Sequence, residues 1–575
     1  MDIVFDIECY PNYFLIMFMN IRDERIKYFE MHNDKWNQEG LREFIHKPRR
    51  TFIGFNSLNY DLPVLAAALK RNATNQSIKA VSDAIIIERV RHWQMDLKLP
   101  PIDHIDLMEP APSVNTGLKA YGGRMHSKKL QDLPLPPDSI IDDATDLRNY
   151  CINDLLLTRD LYESIKPRIE LREQLGGKSY RSKSDAQMAE AMFKEKLNRL
   201  GIETEKQTAP KKLKYSPPDW ISFDDIELDD MLDLIKSTEY GIHPTKGHPV
   251  APNTIEGKIL LDRFKFGMGG LHSQEKKQTV ISSDNELLFD IDFASFYPHI
   301  ILREGFYPKH LTNQFLDMYG DLMADRLKAK KEGNEVVNQG YKIAINGSFG
   351  KLGSKYSFLY SPDLLLHVTL TGQLILLMLI EKIEQSGGRV VSANTDGVVV
   401  WCHKSAYEAV KDAYLEIEML SGIELEESRY KALYSQSVNC YLAVKHDGTC
   451  KGKGAYGKPG LTKTPDYEIC AMAVKDYITK GIPLHETIHN NRDIRNFVKI
   501  RKVKGTAMYQ GKLIGKLIRF YHSGNEAIYD ATSGNKVATS DGCKPLMELP
   551  DEFPDDIDYA WYVRQAGKML KGLGL

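Results

Sequence analysis

Two carboxylates, Asp6 and Glu8, stand two residues apart in the first apolar segment of the chain, where Ile3, Phe5 and Ile7 alternate with Val4, Asp6 and Glu8. That alternation marks a β-strand, and a spacing of two puts both carboxylates on one face of it. Two hard oxygen ligands one strand repeat apart can share divalent ions such as Mg²⁺. Alone, the pattern also describes an ordinary solvated strand face, so its meaning depends on which acidic residues the rest of the chain supplies.

Two more acidic segments lie within the first 165 residues, which alternate strand-like and helix-like stretches as α/β folds do. Asn56-Ser-Leu-Asn59-Tyr60-Asp61 lies at a loop after the strand-like run TFIGFN. Tyr150 and Asp154 lie on a predicted helix over 145–165, where i and i+4 share a face.

A second acidic series begins near residue 290. Asp292-Phe293-Ala-Ser295-Phe296-Tyr297-Pro298 ends a predicted strand. Predicted helices over 312–332 and 335–349 form a hairpin broken at Gly333-Asn334. The first carries Arg326 and Lys330 at i, i+4, and the second carries Lys342, Asn346 and Phe349 on one face. Residues 389–402 read as a β-hairpin turning at Asn394-Thr395-Asp396-Gly397. Asp292 at a strand end and Asp396 in a hairpin turn can face each other across one sheet, with the Phe293 carbonyl as a further ligand.

Composition bounds the rest. At 575 residues the chain is too long for one core. Its net charge of −2 gives no global basic field, so nucleic-acid binding must come from local patches. Lys451–Arg519 holds 15 Lys/Arg against 5 Asp/Glu, which is such a patch or a solvated face. The seven cysteines form no CxxC pair, so neither a zinc site nor a disulfide framework is indicated, and a reducing, cytoplasmic compartment fits. The first apolar stretch is interrupted by acids, which argues against a signal peptide. The apolar run Leu364–Ile380 contains His367, Thr369, Thr371 and Gln373 and reads as a buried helix, not a membrane span.

The first three segments together resemble the D-x-E, N-x₂₋₃-(F/Y)-D and Y-x₃-D motifs of DEDDy 3′→5′ proofreading exonucleases. The second series resembles motifs A (D-x-x-S-L-Y-P), B (K-x₃-N-S-x-Y-G) and C (Y-x-D-T-D-S) of family B DNA polymerases, compact bacteriophage replicative enzymes being the nearest type. Motif C departs from the pattern: Asn394 stands where the first Asp is usual, and Gly397 where Ser is. Tyr441 is kept from a K-x-Y primer-gripping element whose Lys is Asn439 here, and Lys451 and Lys453 are nearby basic substitutes. Gly267-Met-Gly269-Gly270 resembles a Y-x-G-G element that loses its Tyr.

The resemblance implies α/β and α+β multidomain architecture: an RNase H-like exonuclease domain (1–165), a connecting region (166–255), palm (256–310 and 351–455) around a fingers hairpin (311–350), and a thumb with C-terminal tail (456–575). It implies DNA synthesis with Asp292, Phe293 and Asp396 holding two Mg²⁺ ions, and proofreading with Asp6, Glu8, Asp61 and Asp154 holding two more, Mn²⁺ being a substitute. Tyr150 would orient the attacking water. Arg326, Lys330, Lys342, Asn346, Tyr297 and Phe293 would bind dNTP. Asn56, Tyr60, Tyr441, Gly269, Gly270, Lys451 and Lys453 would contact DNA, and Lys128 or Lys129 the scissile phosphate. Implied partners are primer–template DNA, dNTPs and phage helicase, primase or single-strand-binding proteins, with the chain a monomer and no membrane involved. The competing readings are an exonuclease with a degenerate, DNA-binding polymerase module, and an accessory protein with both sites dead. Only 50 residues separate Asp292 from Lys342, and 54 separate Lys342 from Asp396. This leaves little room for the insertions that protein priming uses, so nucleic-acid primers are predicted.

Overall fold

The computed structural model describes residues 1–575 apart from 114, 115, 206 and 209. The chain divides into two compact units, each assembled from separated stretches of sequence. Unit 1 comprises Met1–Ser184, Pro459–Ala473 and Pro483–Gln565; unit 2 comprises Asp185–Lys458, Val474–Ile482 and Ala566–Leu575. Both mix helices and sheets, as the sequence implies.

Unit 1 is built on strands β1 (Asp2–Tyr10), β2 (Tyr13–Asn20), β3 (Ile26–His32), β4 (Thr51–Gly54) and β5 (His104–Asp106), in the order β3-β2-β1-β4-β5. β2 is antiparallel to both β1 and β3, while β4 runs parallel to β1 and to β5. β1 is therefore central. Its apolar residues feed two cores: Phe5 packs among Phe18, Phe52 and Leu65, and Val4 among Leu147, Cys151 and Leu161. The helices that position the site are α1 (Asp61–Ala68), α2 (Asn75–Ile86), α3 (Leu118–Arg124) and α4 (Thr145–Gly176).

α4 runs 32 residues, straight through the boundary predicted at 165. Pro167 removes one backbone hydrogen bond, yet buried Leu161, Ile165 and Ile169 keep the same face packed on both sides of it. Unit 1 continues to Ser184, so the predicted connecting region, 166–255, is shared between the units. Its residues 206 and 209 lie outside the described residues.

The predicted C-terminal thumb is also divided. Most of it, Pro483–Gln565, clusters with the N-terminal residues. A ribbon of Lys499–Tyr509 and Lys512–Asn525 is flanked in its sheet by Tyr529–Asp530 and Gly542–Pro545. The basic residues of this segment suggest a solvated face, but Arg519 is 0% exposed. Its guanidinium donates to the carbonyls of Ser127 (2.9 Å), Lys128 (3.2 Å), Leu546 (2.7 Å) and Met547 (3.3 Å). At Gly123 a β-carbon would already lie 3.0 Å from Ile500 Cδ1, so α3 and the ribbon are in close contact.

Unit 2 centres on a seven-stranded antiparallel sheet of β6 (Ile259–Leu260), β7 (Phe264–Lys265), β8 (His272–Ser273), β9 (Glu286–Phe293), β10 (Arg389–Asn394), β11 (Gly397–His403) and β12 (Leu425–Tyr430). The order is β12-β9-β11-β10-β8-β7-β6. Gln278–Ile281, Ala432–Ser437, Cys440–Val444 and Cys450–Lys453 form a second sheet. The helical hairpin is α5 (Gln314–Lys331) and α6 (Glu335–Leu352), close to its predicted limits. Next comes α7 (Pro362–Gln385), with Pro at its start, where the missing N–H costs nothing. α7 is long and apolar enough to cross a membrane, but 83% of its most apolar stretch is buried within the fold. A helix that is apolar all round needs such cover, and α7 packs against β10 and Phe296–Arg303.

Candidate active sites

In unit 1 the central strand carries Asp6 and Glu8 toward α4. Ligand atoms of Asp6, Glu8 and Cys151 lie within 4.8 Å of one another. Asp61 opens α1 and Asp154 sits on α4, and both are buried, as is Glu8. Packing carboxylates this way raises their pKa values. Burial, followed by the neighbouring Asp154 charge, pushes Asp6 up to about 8. Burial raises Asp154 to about 6, with Lys119 opposing it. Burial and then Asp6 hold Glu8 and Asp61 well above the usual carboxylate range. Asp61 Oδ1 and Asp154 Oδ1 are buried without a hydrogen-bond partner among the described residues. A carboxylate cluster with mutually repelling charges and two orphaned acceptors, beside the Cys151 thiol, fits divalent cations.

The loop before α1 is shaped by Asp106, which the motifs in the sequence do not single out. Its carboxylate accepts from the backbone N–H groups of Asn56 (2.8 Å), Leu58 (2.8 Å) and Met108 (3.0 Å). Asn56 takes φ +59° there, a conformation Asn tolerates better than most residues. The Tyr60 hydroxyl shares a hydrogen bond with Ser82 at 2.9 Å, and Tyr150 is buried one helical turn before Asp154 on α4. Lys119 is the lysine at this site: its Nζ is 4.5 Å from the centre of the Tyr150 ring, and its charge opposes the raised pKa values of Asp6, Glu8 and Asp154. Lys128 instead pairs with Asp551 at 2.5 Å, and Lys129 bridges to Glu548 through the backbone. A groove of about 1080 Å³ reaches Asp154, lined on one side by Lys119, Asp132 and Leu133 and on the other by Lys502, Leu513 and Lys516 of the ribbon.

In unit 2, β9 and β11 are direct neighbours, with Asp292 opposite Gly397. The β10–β11 turn holds Asp396 beside them, and the Asp396 carbonyl accepts from Phe293 N–H at 2.9 Å. A cavity of about 770 Å³ is lined by Asp292, Phe293, Asp396, Arg326, Lys330, Tyr441, Lys451 and Lys453. Burial, then the Asp290 charge, raises Asp292 to about 6, with Lys451 opposing; burial also raises Asp396. Arg326 Nη1 donates to Ser295 Oγ at 2.8 Å, while its Nε is buried without a partner among the described residues. That free donor, with Lys330, suits an anionic ligand.

Other predicted residues lie elsewhere. Lys342 and Asn346 are exposed on α6 and do not line this cavity. Tyr297 stacks on Phe349 (ring centres 4.7 Å apart) and with Gly269 and Thr395 lines a second cavity of about 410 Å³. Gly270 has φ +113°, and a β-carbon there would lie 3.2 Å from Thr395 Oγ1, so the Gly-rich loop lies against the Asp396 turn.

Four further acids line this cavity, Glu275, Asp290, Glu424 and Glu426, and none is among the sequence-based expectations. Asp290 is 7% exposed, accepts from Tyr430 Oη (2.8 Å) and pairs with Lys451 (3.0 Å). Glu426 faces Asp292 from the edge strand β12. Asp290-Ile-Asp292 repeats the D-x-acid spacing of Asp6 and Glu8, so Asp290 is visible in the sequence.

No family model matches the chain. Over 208 residues it is 25% identical to DNA polymerase 1 of Aeropyrum pernix, covering 34% of this chain and 20% of that protein. It is 30% identical over 135 residues to DNA polymerase II of Escherichia coli (19% and 17% covered). It is 26% identical over 238 residues to DNA polymerase 1 of Sulfurisphaera ohwakuensis (41% and 24%). Among solved structures, the family B DNA polymerase of Pyrobaculum calidifontis aligns with 100% of this chain and 77% of that one, at 15% identity and a TM-score of 0.42. This chain is similar to the family B DNA polymerases. It spans less than a quarter of the length of these three curated relatives. The bacteriophage type implied by the sequence has no counterpart among these matches.

Proposed function

We propose that this chain is a DNA-directed DNA polymerase of the family B kind, with a 3′→5′ exonuclease in unit 1. The observation that carries the reading is the unit 2 cavity, in which the Asp292 and Asp396 carboxylates share one space with Arg326, Lys330 and Lys451. Facing carboxylates opposed by cations are what nucleotidyl transfer from a triphosphate requires. Mg²⁺ held by Asp292, Asp396 and the Phe293 carbonyl would polarise the primer hydroxyl and neutralise the leaving pyrophosphate.

The chain's own residues do the remaining work. Arg326, braced on Ser295, presents its Nε and guanidinium face to the triphosphate, and Lys330 adds charge one turn on. Lys451, anchored by buried Asp290, sets a cation next to Asp292 (3.9 Å) where the primer end would lie. Tyr441, lining the same cavity, supports the primer strand. Tyr297, stacked on Phe349 in the second cavity, would exclude a ribose 2′-hydroxyl only if the sugar of the nucleotide reaches that cavity. In unit 1, Asp6, Glu8, Asp61 and Asp154 would hold the second metal set. There Tyr150 orients water, Lys119 faces the scissile phosphate, and the groove along the ribbon receives the strand. Lys342 and Asn346, exposed on α6, engage the nucleotide only if α6 moves toward the cavity.

Primers of nucleic acid fit the chain best. Between Phe296–Arg303 and β10, the described residues hold only α5, α6, α7 and short connections, with no further sheet. Asn394, which lines the catalytic cavity as an amide where a carboxylate is usual, favours one alternative: an exonuclease whose polymerase unit only binds DNA.

Primer extension on a labelled primer–template with Mg²⁺ separates the readings. The proposal requires elongation with dNTPs and shortening without them. Asp292→Asn should abolish only elongation, and Asp6→Ala only shortening. Elongation that survives Asp396→Asn unchanged would remove Asp396 from the site.

A further inference from the structure

The segment between α2 and β5 carries a surface that the carboxylate site leaves unused. Trp93 is 68% exposed, the only exposed one of the five tryptophans among the described residues. Ile87, at the end of α2, is also 68% exposed. Between Glu88 and Asp96 the chain carries exposed Arg89 and Arg91 and no acid. Single exposed apolar side chains are ordinary on protein surfaces, so the case for Trp93 rests on what flanks it.

The geometry is fixed. Arg91 and Gln94 close a one-turn loop: Arg91 N–H donates to Gln94 Oε1, and Gln94 N–H donates to the Arg91 carbonyl, each at 2.9 Å. The His92 ring lies 5.0 Å from Trp93 and nearly perpendicular to it, and the Arg91 guanidinium carbon lies 6.0 Å from the indole centre. The His92 Nδ1 is buried without a hydrogen-bond partner among the described residues. Most telling is the link to the carboxylate site. Arg91 Nη1 donates to Asn59 Oδ1 at 3.4 Å, and Asn59 Nδ2 donates to Asn56 Oδ1 at 3.0 Å. Asn56 and Asn59 belong to the loop that leads into Asp61.

We infer that Arg89, Arg91 and Trp93 form an entry platform for single-stranded DNA, on which a base upstream of the 3′ end stacks on Trp93 while the arginines take backbone phosphates. The inference rests on the exonuclease reading of unit 1 and extends it from the reacting nucleotide to the strand behind it. The occupant is dictated by chemistry: an exposed indole with flanking guanidinium groups suits unpaired bases and phosphates, and the surface is continuous with the loop of the cleavage site. A paired duplex keeps its bases stacked on one another and has none to offer Trp93.

The test uses the full chain carrying Asp6→Ala, so that bound DNA is not degraded. Titration with oligo(dT) of about ten nucleotides, within the ~4–16-nucleotide range of single-strand sites, should quench tryptophan fluorescence. The quench should be lost in both Trp93→Leu and Trp93→Phe and weak with blunt duplex of equal length, while binding read by anisotropy should persist in Trp93→Phe and fall in Trp93→Leu. On the wild-type background, Trp93→Leu should raise KM for the long single strand by about 5- to 100-fold, the range of one base–aromatic stack, with kcat unchanged. The same variant should leave cleavage of a dinucleotide unaffected. Equal quenching in Trp93→Leu, or equal binding of duplex, overturns the platform. So does an unaltered KM on long strands, the result if the patch served a protein partner. Quenching that tracks Trp93 in a chain that never shortens DNA would uphold the platform and sink the exonuclease reading, so the two fail separately.

Discussion

Gly397 stands directly across the sheet from Asp292, and a β-carbon at 397 would overlap the Asp292 Oδ1 and lie 2.9 Å from the Ile291 carbonyl oxygen. The present orientation of the Asp292 carboxylate therefore depends on the absence of a side chain at 397. Gly397→Ser, which restores the residue usual in motif C, should drive Asp292 to another rotamer. A displacement of that kind typically costs about 10²-fold in rate. We expect primer extension to fall by at least that factor and the thermal midpoint to drop, because the β-carbon also crowds the Ile291 carbonyl, while 3′→5′ shortening below the midpoint stays near wild type. Undiminished extension would mean that Asp292 can act from a second rotamer.

The unit 1 carboxylates predict a pH-dependent stability. Asp6 is raised to about 8, so between its ordinary value and about pH 8 the folded chain binds a proton that the unfolded chain has released. Stability then falls as pH rises through that window. Asp154, raised to about 6, adds to the decline in the lower part of it. In metal-free buffer the thermal midpoint should drop between pH 5 and pH 8, and Asp6→Asn should flatten the drop. Added Mg²⁺ should raise the midpoint more at pH 8 than at pH 5, because ionised ligands bind it better.

Lys119 and Lys128 should behave oppositely. Lys119 is the cation beside the carboxylates, and Lys119→Ala should lower the exonuclease rate by about 10²–10³-fold, the order lost with one charge-stabilising donor. Lys128→Ala removes an exposed pair with Asp551 and should leave the rate unchanged. Single-turnover cleavage of a labelled single strand measures both.

Arg519→Met should destabilise unit 1. The guanidinium serves four carbonyls in a site closed to water, and each buried acceptor left unpaired costs about 1–3 kcal/mol. The Lys128 and Met547 carbonyls keep backbone N–H partners, from Leu549 and Leu130, so two acceptors lose theirs and the loss should be about 2–4 kcal/mol. Chemical denaturation followed by tryptophan fluorescence reads it. A loss under about 1 kcal/mol would show that the ribbon is held mainly by its apolar contacts with α3.

How much of this is legible in the sequence depends on locality. The spacing of Asp6 and Glu8, the i, i+4 pairs on α4 and α5, and the turn at Asn394–Gly397 are short-range patterns, and each element appears where its pattern puts it. Lys119 carries no such pattern: it becomes significant because α3 brings it over the Tyr150 ring. Asp106 and Glu426 are likewise single acids whose roles come from sheet pairing across long stretches of chain. The boundary expected at 165 is crossed by α4, because Leu161, Ile165 and Ile169 pack the same face on both sides of Pro167. The division of the C-terminal segment is hidden for the same reason. Its basic composition describes what faces solvent, and buried Arg519 with Ile500 decides what it packs on.

The contact between Arg519 and Ser127 spans 392 residues of sequence. A ribosome would therefore release the N-terminal sheet long before the ribbon that closes its groove had been made. During that interval the apolar surface of α3 and the carboxylates behind it would be exposed, a window in which such intermediates meet chaperones, proteases or one another. Truncating the chain before Pro483 would then remove more than a C-terminal domain, because it would leave the N-terminal unit permanently in its nascent state.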